Sequence, residues 1–198
     1  MTATIRKQHK ALLTYEAYLE EFRTQPPTMQ PCEIIDGVKI MSPSPRPIHQ
    51  GILENLRDLI HDARRAGVPI RTLASPMDVL IRPSPLRVRQ PDLLVMSADR
   101  FRRHSVLEMP GPITVAPELV IEVLSPSETL SSLAKKIADF RAIGVAECWI
   151  VSCGPNTVEV RALTESVDRT VAIYTPGDDV RSVIFPDLIL PVAAIFEL

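Results

Sequence analysis

Glycine and cysteine are scarce in this chain of 198 residues, and each scarcity removes a class of chemistry. Seven glycines are too few for phosphate-cradling loops, and the chain contains neither a P-loop nor a Gly-x-Ser-x-Gly elbow. Cys32, Cys148 and Cys153 are odd in number and form no Cys-x-x-Cys pair, which argues against a disulfide framework and a structural zinc site. Three reduced thiols in a cytoplasmic protein are expected instead. His9, His49, His61 and His104 show no ligand spacing with one another or with the cysteines. No apolar run approaches the roughly 20 residues that span a bilayer. The basic stretch Met1–Lys10 has no apolar segment behind it, so it does not read as a signal peptide. A soluble protein without a membrane partner is the expectation.

A strong excess of positive charge is also missing. The net charge is −2, so the chain lacks the global basic signature of a nucleic-acid binder. A local patch has to serve any such role. Arg82, Arg87, Arg89, Arg100, Arg102 and Arg103 gather around Asp92 in sequence and are the candidate; a solvated arginine-rich loop is the plainer alternative.

The length suits one domain with a proper core, taken as residues 1–198 with 1–30 as an N-terminal helical extension. Thr14 caps a helix expected to run to about Arg23. Cys32–Ile35 and Val38–Met41 flank Asp36-Gly37, the preferred dipeptide of a two-residue hairpin. A helix from Ile48 repeats Ile52, Leu53, Leu56, Leu59 and Ile60, and Gly67 closes it. Strands are expected at Ile70–Leu73, Met77–Ile81, Asp92–Met96 and Glu118–Leu124. Between Ile81 and Asp92 the spacing predicts a proline- and arginine-rich loop, and from Ser97 to Ala116 an irregular segment. A helix from about Leu130 to Ile143 precedes strands Glu147–Ser152 and Thr157–Leu163, with weaker strands at Val171–Tyr174 and Val183–Phe185. The fold class is α/β bordering on α+β, a mixed central sheet flanked by helices.

Two acids and a lysine carry the chemistry. Glu122 lies inside the apolar run Leu119–Leu124, where an ionised carboxylate needs a partner or a metal. Asp92 opens another apolar strand, where an aspartate can also simply serve a turn. On the helix that follows Glu122, Leu130, Leu133, Ile137, Phe140 and Ile143 form the apolar face. Lys136 falls within that arc, about 40° from Phe140, while Lys135 lies about 100° further toward solvent. Either snorkelling of its stem or pairing with Glu122 or a phosphate accommodates Lys136 there. Two hard oxygen ligands with waters and a phosphate suit Mg²⁺.

The sequence resembles a known family. Cys32-Glu33-Ile-Ile-Asp36-Gly37, Met41-Ser-Pro, His49-Gln, Gln90-Pro91-Asp92, Glu122-Val-Leu-Ser-Pro-Ser, Lys136 with Phe140, and Gly144-Val-Ala-Glu-Cys-Trp149 are similar, in order and spacing, to the Uma-type endonucleases. These belong to the PD-(D/E)XK, or restriction-endonuclease-like, superfamily. The resemblance extends from about Glu33 to the Phe-Pro-Asp-Leu tail. It implies a restriction-endonuclease-like domain that hydrolyses DNA with Mg²⁺ or Mn²⁺. Asp92 and Glu122 are then metal ligands, Lys136 the catalytic lysine, and Glu33 and His49 accessory positions. The chain departs from the family pattern at Ser132, where an acid is usual, and at Phe140, Cys148 and Ser152. Leu124 occupies the place where the superfamily usually carries its lysine.

Three functions are therefore open. The first is a metal-dependent DNA endonuclease, expected by analogy to act as a homodimer. A catalytically weak or inactive nucleic-acid-binding or regulatory protein on the same fold is the second. In the third, Glu122 and Lys136 form a structural ion pair.

Overall fold

The computed structural model describes residues 12–24, 32–41, 44–108, 111–125, 128–164 and 168–198. Gln25-Pro26-Pro27, whose prolines are expected to end the first helix, and Pro126-Ser127 after Glu122 lie outside these ranges. In chain order the first elements are α1 (Tyr15–Thr24), β1 (Cys32–Ile35), β2 (Val38–Met41), α2 (Pro47–Arg65), β3 (Ile70–Ala74), β4 (Val79–Pro83), β5 (Leu86–Arg89) and β6 (Leu93–Ser97). Then come α3 (Ala98–Arg103), β7 (Leu119–Leu124), α4 (Leu130–Ala142), β8 (Glu147–Ser152), β9 (Thr157–Leu163) and β10 (Asp168–Tyr174). The tail contributes β11 (Asp179–Arg181), β12 (Ile189–Pro191) and α5 (Val192–Ile195).

Six strands form the central sheet in the order β10-β9-β8-β7-β6-β3. Only β7 and β8 pair in parallel, because α4 carries the chain back between them; the other neighbours are antiparallel. The sheet is thus mixed, as the α/β reading requires. Strand alternation assigns its two faces. Leu119, Ile121 and Val123 join Ile52, Leu53, Leu56 and Ile60 of α2 and the apolar tail in one cluster. Val120, Cys148 and Ile150 meet Leu133, Ile137 and Phe140 of α4 in another.

A second, antiparallel sheet runs β2-β1-β5-β4. Its hairpin turn holds Asp36 at φ 52° and Gly37 at φ 79°, the paired left-handed geometry that makes Asp-Gly the favoured turn there. α1 covers this sheet, with Tyr18 packed against Ile34, Leu86 and Val88. The Tyr18 hydroxyl also donates to Asp78 Oδ2 at 2.5 Å.

Several expected elements differ. The segment after Ile81 is a strand, β5, rather than a loop: Leu86 and Val88 alternate inward and pair it with β4 and β1. The stretch after Ser97 forms α3, capped by the Ser97 hydroxyl, which accepts from Arg100 N at 3.2 Å. The strand expected at Val183–Phe185 is displaced by β11 and β12. Glu147 explains that shift, since its fully buried Oε2 accepts from Ser182 Oγ, Val183 N and Ile184 N and fixes those residues as a turn.

Candidate active site

The site lies where the end of β7 meets the start of β6. The register pairs Leu93 with Ile121, so the next position places Asp92 opposite Glu122. Asp92 Oδ2 accepts from Val123 N at 2.8 Å and stands 3.3 Å from His49 Nε2. His49 occupies the first turn of α2, which Pro47 opens at the position where proline costs a helix nothing. The hydrogen bond from His49 to Asp92 is the largest influence on the imidazole and raises its pKa against the opposing effect of burial.

Glu122 lies on the face of the sheet that α4 covers. It is 3 % exposed, and its Oε2 accepts from Lys136 Nζ at 2.8 Å. Burial is the dominant influence on this carboxyl and raises it, to about 8; Lys136 pulls it down and Asp92 adds to the rise. Burial alone depresses the Lys136 ammonium, but Glu122, Glu33 and Glu128 together outweigh it and hold the pKa above the ordinary value. Lys136 Nζ is 3.9 Å from Glu33 Oε1 and 4.0 Å from Glu128 Oε2. The structure thus brings Asp92, Glu122 and Lys136 together, with His49 and Glu33 beside them.

Whether the residues fit a divalent cation turns on Glu122. Its Oε1 is buried without a hydrogen bond among the described residues, an arrangement that leaves a hard oxygen donor free next to Asp92. Among the described residues no three His, Cys, Asp or Glu side chains already form a metal-holding cluster. The donor set is a pair of carboxylates, which is what Mg²⁺ takes from a protein when waters and phosphate complete its shell.

Residues 19–193 match the sequence profile of Uma2, described as "Putative restriction endonuclease". The chain belongs to this family. Among solved structures the fold is similar to that of a protein from Anabaena variabilis described as "a putative nuclease belonging to DUF820". The two share 24 % identity with a TM-score of 0.69, over 90 % of this chain and 97 % of that one. No curated protein matches the chain.

The membership leaves three features of the site unexplained, and sequence reasoning missed all of them. Three of the six arginines expected as a basic patch, Arg82, Arg87 and Arg89, are engaged by carboxylates of the chain itself. Arg82 and Arg87 bind Asp36, Arg87 and Arg89 bind Asp139, and Arg89 donates to Glu33 Oε2 at 2.6 Å. Asp139 was hidden because its partners lie about 50 positions away in sequence. Glu128, just ahead of the Thr129 cap of α4, brings a carboxylate to Lys136 although Ser132 holds the position where the family usually has its acid. The only signal for it was an acid beside a helix cap. The third feature is Leu130, expected on the apolar face of α4, which is 86 % exposed at the helix start.

No helix among the described residues is long and apolar enough to cross a membrane.

Proposed function

We propose that this protein is a metal-dependent DNA endonuclease that hydrolyses phosphodiester bonds. Asp92 and Glu122 hold Mg²⁺ or Mn²⁺, and Lys136 is the lysine of the site. The observation that supports this most is the state of Glu122: a buried carboxylate with one oxygen on Lys136 and the other without a partner among the described residues. A purely structural ion pair has no reason to leave a buried acceptor unmade, because the desolvation is then uncompensated.

When bound, a divalent cation polarises phosphoryl oxygens and acidifies water. The remaining roles belong to the chain. His49 and Val123 N fix the orientation of Asp92 through two donors on one oxygen. Lys136 places a positive charge where negative charge gathers on the phosphoryl group, an electrostatic contribution that needs no reorganisation. In the reaction, water's oxygen bonds to phosphorus and the bond to a bridging oxygen breaks. The leaving oxygen takes up a proton. Cutting both strands of a duplex calls for two such sites, so a two-fold homodimer acting on cytoplasmic DNA completes the reading.

Nicking of supercoiled plasmid in Mg²⁺ or Mn²⁺ is the test. The wild type is expected to cleave, and Asp92→Ala, Glu122→Ala and Lys136→Ala each to lose about 10²–10⁴-fold in rate. Absence of cleavage by folded wild type in either metal would replace this reading with that of a nucleic-acid-binding or regulatory protein.

A further inference from the structure

Around Lys136 the number of carboxylates exceeds what one ammonium needs. Its Nζ is bonded to Glu122 Oε2 at 2.8 Å, with Glu33 Oε1 and Glu128 Oε2 about one ångström further out, at 3.9 and 4.0 Å. The two outer acids are held differently. Glu33 is pinned from behind by Arg89 through Oε2, which leaves Oε1 on the lysine side, buried and without a hydrogen bond among the described residues. Glu128 has no cation other than Lys136 among the described residues, and its Oε1 is likewise buried without a hydrogen bond. The lysine is therefore held by one carboxylate and flanked by two that are ready to accept it.

A divalent cation at Glu122 competes with Lys136 for the same carboxylate, since two positive groups on one buried acid repel each other in a low-dielectric site. We propose that Glu33 and Glu128 form a receiving cradle: as Glu122 turns to the cation, the Lys136 ammonium passes from Glu122 Oε2 to Glu33 Oε1 and Glu128. No bond is made or broken in this step beyond hydrogen bonds and ion pairs. The inference rests on the metal reading of Asp92 and Glu122 given above, and makes Glu128 a positioning residue that acts through Lys136. Its consequence for affinity is direct. Removing part of the cradle lowers the population in which Glu122 Oε2 as well as Oε1 is clear of Lys136, and the apparent affinity for metal falls by that fraction.

The test is calorimetric titration of Mn²⁺, without DNA, into the full chain carrying Glu128→Gln, Lys136→Met, or both. Melting curves confirm that each variant is folded. Glu128→Gln is expected to weaken Mn²⁺ binding about tenfold in the wild-type background and by less than about twofold in the Lys136→Met background, the coupling typical of groups in contact. Equal weakening in both backgrounds would mean that Glu128 acts on the cation directly, and would overturn the cradle alone. No weakening in the wild-type background would also overturn it. Position 132 lies one helical turn before Lys136 on the same face. Adding Ser132→Glu to Glu128→Gln is therefore expected to return affinity to within about twofold of wild type, and failure to do so counts against the positioning role. A wild type that binds no Mn²⁺ removes the metal reading itself, an outcome distinct from the others.

Discussion

Burial of the Glu122 carboxyl opposes folding once the group is ionised. Its neighbours on β7, Ile121 and Val123, are buried, and the carboxyl between them is pushed up to about 8 by burial, with Asp92 adding to the rise and Lys136 opposing it. The sign of the pH effect follows. A folded-state pKa above the ordinary 4.5 means that the folded chain retains a proton that the unfolded chain releases. The stability of the wild type relative to Glu122→Gln is thus greatest below the ordinary value, falls as pH rises toward about 8, and is flat beyond it. Urea unfolding of both proteins near pH 4 and near pH 9 is expected to differ by on the order of a few kcal/mol in favour of the glutamine variant at the higher pH. A difference that does not change with pH would show that Lys136 already compensates the buried charge in full. On the proposed metal reading of Glu122, such a loss of stability at the site fits the general exchange of stability for activity.

At the scale of elements, the charged chain from Asp36 through Arg87, Asp139 and Arg89 to Glu33 ties the small sheet to α4. Asp139 is buried, with Oδ1 accepting from Arg87 at 2.8 Å and Oδ2 from Arg89 at 2.8 Å. Asp139→Ala leaves two arginines facing each other without their acceptor and is expected to cost about 3–5 kcal/mol, measured by chemical denaturation. Lys135→Ala, on the solvent side of the same helix, is expected to stay within about 0.5 kcal/mol. A small cost for Asp139→Ala would show that Asp36 and Glu33 suffice to hold β5 in place. The same network shows what sequence could reveal. Period-two and period-3.6 patterns made β7, β8, α2 and α4 legible, and the Asp-Gly turn made the β1-β2 hairpin legible, because each signal is local. The lysine in an apolar arc pointed to Glu122 for the same reason. β5 was obscured because arginines occupy its alternate positions and read as solvated loop; they are inside only because Asp139 and Glu33 arrive from other elements. Pairing over such separations leaves no periodic trace. Leu130 shows the opposite error, since a wheel extended to the first turn of a helix assigns a buried face to a residue that is exposed there.

For the whole molecule, the pairing of Arg82, Arg87 and Arg89 bears on how a nuclease of this family would approach DNA. On the endonuclease reading, a chain of net charge −2 has no long-range attraction for a polyanion, and DNA binding would depend on cations at the rim of the site. Arg46, immediately before α2 and one turn from His49, and Lys135, next to Lys136, are both exposed and flank the site from two helices. If the endonuclease reading holds, each neutralises a phosphate. Affinity for a labelled duplex, followed by fluorescence anisotropy over a range of salt without divalent metal, is then expected to fall linearly on logarithmic axes. Arg46→Ala and Lys135→Ala are each expected to reduce that slope by about 1. Arg87→Ala is expected to leave the slope unchanged although it removes the same charge, because its guanidinium is committed to Asp36 and Asp139. A slope lowered by Arg87→Ala would mean that this guanidinium leaves its carboxylates for the phosphate backbone. The small sheet, rather than the helices at its side, would then be the surface that meets DNA.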